Sequence, residues 1–399
     1  MWQTIRLGDV CTISSSKRIF AKEYQTEGIP FYRGKEVIEK HNGNKVSTEL
    51  FISPKRYEEI KGKYEVPKKG DILLTSVGTL GIPWLVDEDD FYFKDGNLTW
   101  LRCNTQILPS YLYLWLNSAE AQNQIDVKCI GSTQKALTIE TLNKFQITLP
   151  SLELQKKIVA VINPIESRIN INRSVNENLL EQATALFDNA LQQSESISFV
   201  ELSSLADVKG GKRLPKGVNL ISKPNSHPYI RVRNLNNMIF ASLSSDYEYV
   251  DDETQKSIAR YITSAGDVLV SIVGTIGLTA IVDDTLDNAN LTENCVKLTN
   301  LKGITPEYLL LFLRSKIGIE SINKGTVGAV QLKLPIKNIQ SIPVPLLMSV
   351  EMQALSDILS IMFNRISSNI IETKRLSELR DVLLPKLMSG ELDVSDIDL

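Results

Sequence analysis

The chain has 399 residues, of which 43% are hydrophobic and 23% charged, an ordinary composition for a soluble protein of two or three domains. No apolar run reaches about 18 residues and the N-terminus lacks a signal-peptide core, so we expect a cytoplasmic protein that does not enter a membrane. Four scattered cysteines and two histidines give little material for a disulfide framework, a metal site or histidine-based catalysis.

The net charge of −3 is unevenly distributed along the chain. Residues 1–150 and 200–345 are slightly basic, with net charges of +1 and +2, whereas residues 151–199 and 346–399 carry −2 and −4. This distribution permits binding of nucleic acid by each of the two basic segments without demonstrating it.

The first basic segment has the pattern of a mixed domain of strands and helices. WQTIRLGDVCTI predicts a short strand or helix entry followed by a loop, and IPFYRGKEV predicts a strand that enters a loop. KKGDILLTSVGTLGIPWLV predicts two strands joined by a Gly-Thr-Leu-Gly turn. A helix is expected to begin near Pro109 and Ser110, and a strand in FQITLP leads into the next segment.

The segment that follows has apolar residues mostly three or four positions apart from Ile158 to Leu191, which predicts one long amphipathic helix. Pro164 interrupts this pattern, and Asn163 and Glu166 around it resemble a helix start, so we expect a kink or two stacked helices there. A similar apolar stripe runs from Leu355 to Leu384, and two such stripes in one chain predict an intramolecular coiled coil.

The second basic segment repeats the first in the same order, at an offset of just under 200 residues. HPYIRVRNL matches IPFYRGKEV, GDVLVSIVGTIG matches GDILLTSVGTLG, and ITPEYLLLFL matches ILPSYLYLWL. The chain is therefore a duplicated unit of a domain followed by a helix. We predict an α+β protein with two similar α/β domains separated by two long antiparallel coiled-coil helices, with pseudo-twofold symmetry. The expected boundaries are 1–150, 151–195, 196–345 and 346–399.

These motifs resemble the specificity subunit of Type I restriction–modification systems over essentially the whole chain. The resemblance is carried by the two GD(I/V)L motifs, by GSTQKALTIETLNKFQITLPSLELQ and SIPVPLLMSVEMQ, and by the C-terminal LRDVLLPKLMSGEL. It implies two target-recognition domains, 1–150 and 196–345, and spacer helices that set the gap in a bipartite, asymmetric site on double-stranded DNA. It also implies docking of two modification (N6-adenine methyltransferase) subunits, and of restriction subunits in the full complex.

Motifs for catalysis are absent from the sequence. An adenine methyltransferase needs an Asn/Asp-Pro-Pro-aromatic motif, and an ATP-driven motor needs a G-x-x-x-x-G-K-[ST] loop, and neither occurs. We therefore expect a non-catalytic subunit with no catalytic residue, no metal site and no cofactor.

Sixteen residues are candidates for DNA contact, and each has a structural alternative. Four basic residues follow the IPFY and HPYI strands and could bond guanine or phosphate, or form surface ion pairs with neighbours such as Glu36: Arg33, Lys35, Arg231 and Arg233. Four more occupy loops and could contact phosphate or remain solvated: Lys17, Arg18, Lys212 and Arg213. Six lie in the Gly-Thr turns, where glycine allows close backbone approach to DNA or serves only a tight hairpin: Ser76, Gly78, Thr79, Ser271, Gly274 and Thr275.

Gln134 and Lys135 complete the candidates. Their repeat counterparts Gly328 and Ala329 lack comparable side chains, so this loop could make the two half-sites differ, or could simply have drifted.

Two other functions fit parts of the sequence. A repeat-built scaffold that bridges protein partners without binding DNA is the main rival, and salt-dependent, sequence-selective DNA binding would separate it from the first hypothesis. A stand-alone DNA-modifying enzyme is disfavoured by the missing motifs.

Overall fold

The computed structural model describes residues 2–87, 90–128, 136–236, 238–328 and 331–397. The chain divides into two compact units, one formed by Met1–Val175 with Asn369–Leu399 and the other by Asn176–Ser368. Each unit holds one globular domain and parts of two long helices. The first of these helices, Leu152–Gln193, is called the central helix, and the second, Ser349–Ser389, is called the C-terminal helix.

The first globular domain alternates short strands and short helices. Its described strands are Gln3–Arg6, Cys11–Ser14, Ile29–Tyr32, Phe51–Ile52, Ile72–Thr75, Pro83–Leu85, Tyr92–Phe93, Leu98–Cys103 and Gln146–Leu149. Its described helices are Leu7–Val10, Gly34–His41, Pro54–Lys63, Pro109–Leu116, Ala119–Lys128 and Ile139–Asn143, with a 3-10 turn at Ala21–Glu23.

The second globular domain has a similar succession of elements. Its described strands are Ser198–Glu201, Asp207–Gly210, Pro228–Ile230, Phe240–Ala241, Glu248–Tyr249, Val268–Ser271, Thr279–Val282, Asn290–Leu291, Cys295–Thr299 and Pro343–Leu346. Its described helices are Leu202–Leu205, Asp252–Ile258, Pro306–Arg314, Lys316–Gly325 and Ile336–Gln340, with 3-10 turns at Val232–Leu235, Ala259–Tyr261 and Asp284–Leu286.

A buried antiparallel hairpin is central to the main sheet of each domain. In the first domain Ile72–Thr75 pairs with Pro83–Leu85 and with Leu98–Cys103, and its four residues are buried. In the second, Val268–Ser271 makes the same two pairings and is equally buried. Strands with both faces covered are typically continuous apolar runs, so the hairpin predicted from ILLTSVGTLGIPWLV is confirmed in both repeats.

The three-stranded sheets also correspond between the domains. Ile29–Tyr32 pairs antiparallel with Phe51–Ile52 and parallel with Tyr92–Phe93, and Pro228–Ile230 pairs in the same way with its own two neighbours. A third, two-stranded pairing joins each domain's first strand to its last. The duplication seen in the sequence is therefore a duplication of topology.

Two local predictions for the first domain are wrong. The RGKEV segment after Ile29–Tyr32 is a helix, Gly34–His41, instead of a loop, because the Glu36 carboxylate accepts the Arg33 backbone N–H at 2.7 Å and caps the helix start. The single helix expected from Pro109 is two helices, and the Ser118 hydroxyl accepts the Ala121 N–H at 3.3 Å where the second begins.

The central helix continues through Pro164, so the expectation of two stacked helices is wrong. Proline in a helix interior removes one backbone hydrogen bond, here the bond to the Ala160 carbonyl. Pro164 is exposed, and the helix residues on either side of it, Ile162 and Ile169, are fully buried in the core of the first unit. This burial holds the helix together across the missing bond.

Within each unit the two long helices run antiparallel. In the first unit the Arg168 guanidinium donates to Glu372 at 3.0 Å and Arg380 donates to Glu166 at 3.1 Å, so rising numbers on one helix meet falling numbers on the other. In the second unit Asn176 donates to the Ile366 carbonyl at 3.5 Å, consistent with the same direction. The predicted antiparallel helix pair is confirmed.

Within the described ranges, no helix combines the length and apolar character needed to cross a membrane.

Candidate nucleic-acid interface

The loop after the second strand of each domain carries a lysine over a tyrosine ring. Lys17 Nζ lies 4.5 Å from the centroid of the Tyr64 ring, and Lys212 Nζ lies 5.4 Å from that of Tyr261. Both pairs occupy equivalent places in the repeat. A cation over an aromatic face is restrained without being neutralised, so these ammonium groups remain available to an anionic ligand.

The arginine next to each lysine is ion-paired in the same way in both domains. Arg18 Nε donates to Asp95 at 2.9 Å, and Arg213 Nε donates to Glu293 at 2.7 Å. The side chains of both arginines are mostly exposed, at 69% and 80%. Burial raises the pKa of Glu293, but hydrogen bonds from Arg213, the Glu293 backbone and Thr292, with the charge of Arg213, together leave that pKa below its usual value. These loops are therefore ordered by ion pairs while their guanidinium groups face solvent.

Arg33 and Lys35 lie at the start of the helix Gly34–His41. Arg33 Nη2 donates to Glu36 at 2.8 Å, and Lys35 Nζ lies 3.8 Å from Glu39. The Glu36 side chain is fully buried, and burial raises its pKa, but hydrogen bonds from the side chain and backbone of Arg33 leave it lower than usual. Arg33 thus forms the ion pair that was the structural alternative for it.

Arg231 and Arg233, in the second domain, share one carboxylate oxygen. Arg231 Nη1 lies 3.0 Å and Arg233 Nη2 lies 2.9 Å from Glu248 Oε2. The arginine side chains are 40% and 53% exposed. Two positive charges on one acid leave a net charge of +1 on this cluster.

The Gly-Thr turns project from the main sheets. Gly78 and Gly274 both have φ of +82°, a conformation that favours glycine, and a side chain added at either would meet no atom within 4 Å. Thr79 and Thr275 beside them are exposed. The turns therefore need glycine for their geometry and also offer an open backbone surface.

The serines of these turns are buried. Ser76 Oγ lies 2.6 Å from Thr99 Oγ1, and Ser271 Oγ donates to the Thr275 carbonyl at 2.6 Å. The counterpart of Ser271 in the first domain is Thr75. The Ser271 hydroxyl accepts the Leu278 N–H after its turn, and the Thr75 hydroxyl accepts the Ile82 N–H after the other turn. Ser76 and Ser271 therefore hold the turns in shape, and we leave them out of the proposed interface.

Gln134, Lys135 and Ala329 lie outside the described residues.

A cleft in the second domain brings several candidates together. Its volume is about 440 Å³, and Arg213, Arg231 and Arg233 line it. An adjoining cleft of about 590 Å³ shares Val232 and Asn294 with the first and includes Gly274. Three arginines and one Gly-Thr turn, dispersed over some sixty residues of sequence, thus border one continuous groove.

Sequence reasoning missed other residues of this groove. Asn294 and Gln331 carry amides of the kind that can bond adenine through two hydrogen bonds, and Leu332 is 55% exposed beside them. Asn294 directly follows Glu293, the partner of Arg213. The sequence feature that could have indicated Asn294 is therefore the short loop before the strand Cys295–Thr299.

Comparison with protein families places these features in a known context. A model described as the Type I restriction modification DNA specificity domain matches residues 1–181 and again residues 195–380. The two matches together cover most of the chain and coincide with the two repeats.

Two relatives from Haemophilus influenzae are named as type I restriction enzyme specificity subunits. One is 33% identical over 175 residues, an alignment that spans 43% of this chain and only 42% of that protein. The other, the HindI specificity subunit, is 22% identical over 82% of this chain and 87% of its own length.

The fold also resembles a solved structure. The crystal structure of a Type-I restriction-modification system S subunit from M. genitalium aligns with a TM-score of 0.60, covering 97% of this chain and 96% of that one, at 16% sequence identity. At this identity the likeness concerns the fold, which is that of two similar α/β domains with two long helices.

Proposed function

The chain belongs to the Type I restriction modification DNA specificity family, and from this membership we propose that it is the DNA-binding specificity subunit of a Type I restriction–modification complex. It recognises a bipartite, asymmetric site on double-stranded DNA. It docks two modification subunits in the cytoplasm, and restriction subunits join them in the full complex.

Residues 1–150 and 196–345 act as the two target-recognition domains, and residues 151–195 and 346–399 form the spacer helices and tail. The two family matches support this layout, because each begins near the start of one globular domain and extends into the helix that follows it. The two domains differ in sequence, so each reads a different half of the site.

The observation that carries the DNA-binding proposal is the groove of the second domain, bordered by Arg213, Arg231 and Arg233. A guanidinium group can donate two hydrogen bonds to guanine O6 and N7 or to a phosphate, so three of them on one groove suit a polyanion with readable base edges. The paired contacts of Lys17 and Arg18 give the first domain a comparable basic loop.

Exposed apolar side chains on the two long helices support docking of protein partners. These side chains are between 38% and 71% exposed, although they lie on helices that are otherwise packed: Leu186, Ile358, Ile361, Ile371, Leu379 and Val382. Exposed apolar surface of this kind is typical of an interface with another protein. We assign it to the modification subunits, which supply the methyl-transfer chemistry that this chain lacks.

The experiment is methylome sequencing of cells that express the chain with its modification subunits, compared with cells that lack only this chain. We expect a split motif with N6-methyladenine in both halves, which disappears when the chain is absent. Methylation that is unchanged by its loss, or a motif without a gap, would overturn the proposal.

A further inference from the structure

The most unusual electrostatic feature of the second domain is the cluster of Arg231, Arg233 and Glu248. Both guanidinium groups bond the same carboxylate oxygen, and Arg233 also donates to the Asp246 carbonyl at 3.3 Å. Glu248 lies on the edge strand Glu248–Tyr249 and is 27% exposed. The acid is therefore partly accessible to solvent, and it bonds two arginines that line the groove.

The equivalent arginine of the first domain has a different kind of partner. Glu36 is fully buried and caps a helix through the Arg33 backbone N–H, so its carboxylate is part of the fold. The position equivalent to Glu36 is Asn234, and its side chain has taken over the capping of the Arg231 backbone at 2.8 Å. Glu248 does not cap this helix start, so its contacts with the two arginines need another explanation.

A second acid, Glu293, is paired with the third arginine of the groove. Glu293 lines the cleft, is 30% exposed, and accepts from Arg213 at 2.7 Å. Three arginines are thus opposed by two accessible acids, so the five side chains carry a net charge of only +1. A groove built for tight binding to any DNA would carry the arginines alone.

We propose that Glu248, together with Glu293, is a specificity-determining positioning residue that restrains the arginines of the groove against phosphate. This inference rests on the proposed DNA-binding function. A DNA of arbitrary sequence offers only phosphate, and it must break ion pairs to engage the arginines. The target sequence also offers base edges, which compensate for the broken pairs. The acids therefore weaken binding to random DNA more than binding to the target.

The expected change in DNA affinity follows from the small free energy that an exposed ion pair contributes. Each such pair changes an equilibrium constant by about two- to fivefold. Loss of both contacts of Glu248 should therefore tighten binding to non-specific DNA by about four- to 25-fold, with a smaller change for the target. Each additional phosphate contact should also steepen the salt dependence of log K by about 0.9.

The test compares Glu248→Gln with the wild-type chain, each in complex with its modification subunits. The probes are a duplex carrying the methylated motif found by methylome sequencing and a scrambled duplex of equal length, titrated over a range of salt concentrations. Glu248→Asp keeps the charge and should restore most of the discrimination. Glu253→Gln removes an exposed acid of the same domain outside the cluster and should behave like the wild type. Glu293→Gln tests the second acid on its own, and it keeps the inference testable if Glu248→Gln does not fold.

We expect Glu248→Gln to bind the scrambled duplex more tightly and with a steeper salt slope, so that the ratio of the two affinities falls. Unchanged affinity for the scrambled duplex in both Gln variants, with the wild type still preferring the motif, would overturn this inference and leave the proposed function intact. A wild-type complex that does not distinguish the two duplexes would overturn the proposed function itself, and the inference with it.

Discussion

Arg33 and Arg231 occupy equivalent positions in the repeat but lie in different electrostatic surroundings. Arg33 neutralises a fully buried carboxylate, whereas Arg231 shares a partly exposed one with Arg233. The first contact stabilises the fold, and the second leaves the guanidinium group at the border of a groove. The two residues should therefore respond differently to truncation.

Replacement of Arg33 by alanine should destabilise the first unit. The buried Glu36 carboxylate would keep only backbone partners, and leaving a buried acceptor without its partner costs about 1–3 kcal/mol. Urea denaturation followed by circular dichroism measures this loss. Arg33→Lys, which keeps the charge, should lose less, and an unchanged midpoint for Arg33→Ala would contradict the structural role.

Arg231→Ala should act on DNA binding instead. Because both partners of this ion pair are accessible to solvent, we expect a change in stability within about 0.5 kcal/mol. Affinity of the assembled complex for its target should fall about tenfold, and the slope of log K against log salt should decrease by about 0.9 for one lost phosphate contact. Gel-shift titrations measure both quantities. Equal binding at every salt concentration would remove Arg231 from the interface.

His41 should make the stability of the first unit depend on pH. Burial lowers the pKa of His41 from its usual 6.5, and Nδ1 lies 2.8 Å from the Pro83 carbonyl, which suits a neutral ring that donates there. The unfolded chain then takes up a proton at higher pH than the folded chain, so stability is present above about pH 6.5 and is lost as the pH falls below it. Thermal melting between pH 8 and pH 5.5 should show a smaller shift for His41→Gln. An identical shift in both proteins would contradict this assignment.

Among the elements, the central helix makes the clearest prediction, at Pro164. The helix already accommodates this residue, which is exposed, so alanine should fit without a clash and restore the bond to the Ala160 carbonyl. We expect Pro164→Ala to raise the free energy of unfolding by about 1–3 kcal/mol, reduced by the greater flexibility of the unfolded chain. Chemical denaturation measures this free energy of unfolding, and Asn163→Ala, at an exposed neighbouring position, is the control. A destabilised variant would show that the proline relieves strain in this helix.

Elements with strong local periodicity were predictable from the sequence, and those decided by an atypical cap or by distant contacts were not. The buried hairpin and the two long helices carried their own apolar patterns. The helix Gly34–His41 was missed because its cap is a glutamate that accepts from the backbone of an arginine, and the usual Ser, Thr, Asp or Asn is absent at its start. Continuity through Pro164 depends on tertiary burial of Ile162 and Ile169, which local rules do not include.

The candidate site was predictable only as a set of basic positions. The repeat pointed to Arg213, Arg231 and Arg233, and the groove brings all three together. Their acidic partners come from 15 to 80 residues away and gave no local signal. Aligning the two repeats could have found part of this, since Tyr64 and Tyr261 recur at nearly the same offset as the lysines that lie over their rings.

For the whole molecule, the duplicated organisation predicts that each half of the DNA site belongs to one domain. Replacing residues 196–345 by the corresponding domain of another family member should change one half of the methylated motif and preserve the other. Replacing residues 1–150 is the reciprocal experiment. Methylome sequencing reads out both chimeras, and a simultaneous change of both halves by either one would contradict separate recognition.

The lysine–tyrosine and arginine–acid pairs found in both domains also carry historical information. The simplest explanation of a contact present at matching places in two copies of a gene segment is inheritance from the single ancestral copy, which places Lys17–Tyr64 with Lys212–Tyr261 before the duplication. Glu36 and Glu248 have no such correspondence, so the acids that oppose Arg33 and Arg231 differ between the two copies. The shared contacts mark what the two copies have kept in common, and the acids that differ mark where the copies have diverged.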